Sequence, residues 1–175
     1  MIPRISRRVA ATVTVLAIGG AGLVAAQAPA SASPFTATYS CNVAGEGRPS
    51  KIEGSLTASP NPAASGTKVN FALDVASISV PAPVAIESWN ATAVIEGSGA
   101  ESSTFNATAS GGSIPANHPI PDVHMVGSWT PSASGTDRFM IGDITINLNV
   151  EGQGTFTVPC TPTGTRPVAE TLTVN

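Results

Sequence analysis

Side chains that usually carry chemistry are scarce in this chain. Its 175 residues include two histidines, two cysteines and one tyrosine, and only 11% of them are charged. Hydrolysis by a Ser or Thr nucleophile would have only His118 and His124 as imidazole bases. No Gly-x-Ser-x-Gly elbow is present. Basic residues are also few, and three of the eight (Arg4, Arg7, Arg8) stand at the N-terminus. Beyond residue 32, five basic side chains face eleven acidic ones, a net −6 with His neutral. That surface repels phosphate backbones and excludes nucleic acid as a partner. Strong helix formers are sparse, and nowhere do apolar residues recur at helical spacing for three turns. Past the N-terminal stretch no apolar run is long enough to span a membrane as a helix.

What is present begins with an address. Met1 to Arg8 is basic, Val9 to Ala26 is apolar, and Ala30-Ser31-Ala32 offers the small residues that a signal peptidase reads. The apolar stretch is 18 residues long and is interrupted by Thr12, Thr14, Gly19, Gly20 and Gly22. A spanning helix wants about 20 apolar residues, so a cleaved signal peptide over 1–32 is expected rather than an anchor. Residues 33–175 remain, the size of one domain. No sorting motif or charged tail follows Val174-Asn175, so covalent wall attachment is not expected.

That domain reads as strands. In Phe35-Thr-Ala-Thr-Tyr-Ser-Cys-Asn-Val43, apolar and polar residues alternate without a fault, as in a strand with one buried face. Stripes of the same kind run over Ile52–Ala58, Val69–Val75, Trp89–Ile95, Phe105–Ala109, Val123–Trp129, Ile144–Val150 and Phe156–Cys160, with a short one at Leu172–Val174. Gly, Pro and Ser turns separate them, the first expected over Gly45–Pro49, and Ile78–Pro83 is extended but too proline-rich for a central strand. Eight or nine short strands so spaced predict an all-β antiparallel sandwich, immunoglobulin-like in architecture. Cys41 and Cys160 each fall on the apolar side of a strand. Two buried free thiols are the alternative, but export and an even count favour a disulfide closing a loop of 119 residues.

Three segments carry a resemblance: Tyr39-Ser-Cys41, Ile141-Gly-Asp-Ile-Thr-Ile146 and Gly154-Thr-Phe-Thr-Val-Pro-Cys160-Thr-Pro. Together they resemble a domain family of unknown function found in secreted and cell-surface proteins of actinobacteria. The resemblance runs from about Tyr39 to Val174 and is most specific in Gly-Thr-Phe-x-Val-Pro-Cys. It implies an immunoglobulin-like sandwich outside the cytoplasm and brings no catalytic residue with it.

The remaining candidates for chemistry are local. His118-Pro-Ile-Pro-Asp122-Val-His124 holds both histidines and a carboxylate, a possible first shell for zinc or copper. The plainer reading is two exposed loop histidines. Glu87, Glu96, Glu101, Asp122, Asp143 and Glu151 are carboxylates at strand edges or turns, more often solvated than paired for glycoside cleavage. Trp89 and Trp129 could stack on sugar rings, yet both are in phase with apolar stripes and are expected in the core. Asn90-Ala-Thr92 and Asn106-Ala-Thr108 match the N-glycosylation pattern without bacterial significance. The expectation is a secreted or wall-associated, non-catalytic binding or envelope module, with no cofactor. Its partner is unassigned, with a glycan or envelope component as the possibility. The rival readings are a metal-binding protein or metal-dependent enzyme built on His118, Asp122 and His124, and an envelope pore. A pore wants about ten residues per tilted strand with an apolar outer face, and these stripes run four or five.

Overall fold

The computed structural model describes residues 33–43, 45–76 and 78–175. The leader assigned to residues 1–32 and its cleavage site lie outside these. Among the described residues there are strands and no helix. In chain order they are β1 (Ser33–Val43), β2 (Glu46–Ser59), β3 (Val69–Val75), β4 (Ile78–Pro81), β5 (Ile86–Gly99), β6 (Ser103–Gly111), β7 (Pro119–Ile120), β8 (Val123–Trp129), β9 (Gly135–Val150), β10 (Gly154–Pro162) and β11 (Glu170–Val174). Nine of them form one sheet in the order β10-β1-β2-β3-β8-β6-β5-β9-β11, and β4 pairs with β7 in a separate ribbon. Every strand pair is antiparallel.

The sheet folds over into a sandwich because period two leaves one greasy face on each strand. In β1, Phe35, Ala37, Tyr39 and Cys41 are buried while Thr36 and Thr38 are exposed. β1, β2, β3 and β8 lie against β6, β5, β9 and β11 around a shared core. Phe71 of β3 meets Phe139 of β9 at 4.7 Å between ring centroids and Phe105 of β6 at 4.8 Å. Trp129 of β8 packs edge-on to Phe139 at 5.6 Å. Such tilted pairs contribute about 0.5–1.5 kcal/mol each beyond their buried area. At one side the layers join through a single rung between β6 and β8, Thr108 opposite Val126. Gly127 permits this approach, since a Cβ there would sit 2.5 Å from the Asn106 carbonyl oxygen. At the other side β10 pairs with both β9 and β1. Cys41 and Cys160 face each other on that second seam and are bonded.

Several strands run further than the alternation predicts; β5 spans Ile86–Gly99 where the stripe is Trp89–Ile95, and β9 and β2 start early. β9 begins at Gly135, nine residues before the expected start at Ile144, because its phase is broken in between. Ala93 pairs with Ile144 but Ile95 pairs with Ile141, so β9 spends three residues where β5 spends two. This bulge at Gly142-Asp143 lets Phe139, Ile141 and Ile144 all point inward. β2 begins at Glu46 rather than Ile52, and the stretch expected as a turn, Gly45–Pro49, is mostly strand. Pro49 is tolerated there because β2 has no partner on its outer side at that point. Within the proline-rich Ile78–Pro83 stretch, Ile78–Pro81 pairs only with β7, outside the main sheet.

A second, smaller apolar cluster of Ala82, Ile86 and Ile114 packs on Trp89, Ile120 and Leu148. Trp89 lies flat against Gly111, its rung partner on β6, where any Cβ would collide with the indole. Two carboxylates are buried. Asp137 accepts the Glu101 N–H at 2.9 Å, and Glu170 accepts the Thr171 N–H at 2.7 Å and the Ala58 N–H at 3.3 Å.

Candidate binding face

The strands that put apolar side chains into the core put short polar ones on the outer face of β6, β5, β9 and β10. Asn90 and Thr92 are two apart on β5, so they share that face, and their rung partners are Asn147 and Thr145 on β9. Across β6 the partners are Ser110 and Thr108. Asn147 in turn faces Thr157 on β10. The result is a row of amides and hydroxyls crossing four strands. Thr157 Oγ1 donates to Asn147 Oδ1 at 2.7 Å, and Asn147 Nδ2 donates to Asn90 Oδ1 at 3.0 Å. At the lower rim Asn149 Nδ2 donates to Glu87 Oε2 at 2.6 Å. Strand spacing sets this array at about 4.8 Å across and about 6.8 Å along. Each side chain holds its neighbour in one rotamer and leaves further lone pairs or N–H groups toward solvent.

The row runs into a shallow groove of about 520 Å³ lined by Asn90, Thr92, Thr108, Ser110, His124 and Val126. Over the seam lies a second groove of about 590 Å³, with Thr57, Lys68, Asn70, Asn106 and Ser128 on its walls. Val126, 55% exposed, forms the ridge between them. Amides and hydroxyls beside one small apolar ridge suit a hydroxyl-rich ligand; the ionisable side chains on the walls are His124 in the first groove and Lys68 in the second.

The three residues considered as metal ligands are not brought together. His124 Nδ1 lies 2.6 Å from Asp74 Oδ1 on the neighbouring strand β3, not against Asp122. His118 sits in the loop after β6, with Nδ1 3.2 Å from the Ala116 carbonyl oxygen. Among the described residues no three His, Cys, Asp or Glu side chains gather closely enough to hold a metal ion. β8 pairs laterally with β3, which sets Asp74 opposite His124. The strongest partner for His124 is 50 residues away in the chain.

Two of the candidate carboxylates, Glu96 and Glu101, are held in structural contacts. Glu96 accepts from Arg166 at 2.8 Å, and this hydrogen bond holds its carboxyl below the usual range. Glu101 accepts the Ser132 N–H and hydroxyl at 2.8 and 3.0 Å, which lowers its carboxyl in the same sense. Burial raises Glu170 despite its two N–H donors, and burial pushes Tyr39 up to about 12. Trp89 and Trp129 are half-buried and packed against the core, as their phase required. The polar face itself was visible only as two Asn-Ala-Thr strings. Residues two apart share a face, and β5 and β6 lie side by side.

No family model, curated protein or solved structure matches this chain.

Proposed function

We propose that this chain is an exported, non-catalytic binding module of the cell envelope, and that its Asn–Thr–Ser face engages a neutral glycan. The observation that carries the reading is the hydrogen-bonded row Thr157–Asn147–Asn90, continued by Ser110 and ending in the groove beside Val126. Sugars present hydroxyls that both donate and accept, and side-chain amides and hydroxyls match them without a desolvated charge. A binding site preformed by its own hydrogen bonds loses little freedom when a ligand seats.

Export rests on the N-terminal leader pattern, supported by the disulfide, which forms and persists in oxidising compartments. Residence at the cell surface or in the surrounding fluid is the reading that the same leader supports. A pore would need the reverse of the observed pattern. Here Tyr39, Phe71, Leu73, Ile95 and Phe139 fill the interior, and Thr36, Thr38, Asn90 and Thr157 face outward.

The test is titration of isotope-labelled protein with soluble neutral oligosaccharides and with fragments of digested envelope, followed by amide chemical shifts. Binding that moves Asn90, Asn147 and Thr108, and that weakens at least about tenfold in N90A/N147A, supports the proposal. Saturating glycan that leaves those amides unmoved, or binding indifferent to the double substitution, overturns it.

A further inference from the structure

We infer that the open edge of β10 is a self-complementary surface that pairs with β10 of a second copy of this chain. The ladder between β1 and β10 runs only from Tyr39–Pro162 to Cys41–Cys160. The next rung would set Pro159 against Asn42. The Thr163 N–H donates to the Thr38 carbonyl at 2.8 Å, so residues 161, 159, 157 and 155 turn their backbone groups to that same side. Pro159 has no N–H to give to Asn42, and the ladder stops there. Below it, Thr155 and Thr157 present N–H and C=O groups along an edge that no strand among the described residues covers.

The outer edges of β2 and β11 are guarded. The outer side of β2 over Glu46–Glu53 carries Pro49 and the ion pairs Arg48–Glu46 and Lys51–Glu53. On β11 the edge is occupied by Asn61 and Ala63, which bond its backbone at Thr171 and Thr173. Charge, proline and cover are the usual devices against edge-to-edge pairing. The Gly154-Thr-Phe-Thr-Val158 edge has none of them, is uncharged, and exposes 41% of Phe156.

Its register suits a two-fold axis at Phe156. Antiparallel pairing then sets Thr155 of each copy against Thr157 of the other, closing four backbone hydrogen bonds. The two Phe156 rings face each other across a non-hydrogen-bonded rung, with Cβ atoms about 4.5–5.5 Å apart. That is the kind of rung on which Cys41 and Cys160 are already bonded. Isologous contacts of this sort close on themselves and make dimers rather than fibres. The inference stands apart from the glycan reading; the pairing would merge two polar rows into one continuous sheet.

The experiment is sedimentation of the oxidised protein from about 1 to 500 µM, the range in which a small interface of this kind associates. Reversible dimerisation is expected, with Kd raised at least about tenfold by F156K and by T157P and unchanged by T36K on the outer face of β1. F156C should form a dimer disulfide under mild oxidation, reversed by reductant, while circular dichroism reports the fold of each variant. A protein monomeric throughout the range with no F156C cross-link overturns the inference, and so does a dimer that F156K and T157P leave intact.

Discussion

Cys41 and Cys160 occupy the last rung between β1 and β10, one residue before Pro159 ends that ladder. The bond therefore holds the seam at the point where backbone pairing gives out, and it closes a loop of 119 residues. In the chain-entropy account a loop of that order contributes about 4–5 kcal/mol by restricting the unfolded chain. C41A/C160A should lose stability of that size in urea unfolding while keeping its far-ultraviolet spectrum. A loss under about 1 kcal/mol would mean that the core alone closes the seam.

Asn61 acts as a piece of strand. Its amide nitrogen donates to the Thr171 carbonyl at 2.8 Å and its oxygen accepts the Thr173 N–H at 3.2 Å. N61A should cost about 1–2 kcal/mol for two net hydrogen bonds. The same substitution uncovers the edge of β11, so aggregation on heating should rise, measured by light scattering. An N61A protein as stable and soluble as the parent would show that Ala63 alone covers that edge.

Gly111 and Trp89 are rung partners, and the indole occupies the space a Cβ would need. G111A should displace the ring and cost about 1–3 kcal/mol, the usual penalty of an overfilled site. Displacement toward water would red-shift tryptophan emission. An unchanged spectrum and melting temperature would place slack around Trp89 that the packing does not suggest.

Two glutamates should act on stability with opposite sign as pH changes. Burial raises Glu170 above the ordinary 4.5, so its contribution is present below that value and is lost as pH rises through the raised one. The Arg166 hydrogen bond lowers Glu96, so its contribution is full above 4.5 and is lost as pH falls through the lowered value. E170Q should therefore gain stability relative to the parent from about pH 4 to pH 7. R166A should cost only about 0–1 kcal/mol at neutral pH because the pair is only part-buried and still reached by water, and less in acid. Melting curves of the three proteins across that range decide both signs.

His124 and Asp74 form an exposed cross-strand pair. H124A should change stability by less than about 0.5 kcal/mol. Zinc added to the parent protein should leave its melting temperature where EDTA leaves it. A zinc-dependent rise abolished by H124A would restore a metal role for His124 through ligands other than those grouped in sequence.

Much of the architecture was legible because alternation is a local property. Phe35 to Val43, Val69 to Val75 and Val123 to Trp129 each declare their buried face within the strand itself. The bulge at Gly142-Asp143 hid the first half of β9, since one extra residue inverts the phase that the eye follows. Pro49 read as a turn because a proline forbids a central strand but not an edge, and edges are decided by neighbours.

By itself, the sequence determined the strands, their inner faces, the residues able to form the one disulfide and the absence of a basic surface, because composition and period two are written residue by residue. Tertiary structure alone decided which strands lie side by side. It set Asn90 against Asn147, gave His124 to Asp74 instead of Asp122, and left the β10 edge open below Pro159. The physical reason is that lateral pairing joins segments far apart in the chain, chosen by how all the apolar faces close over one core at once.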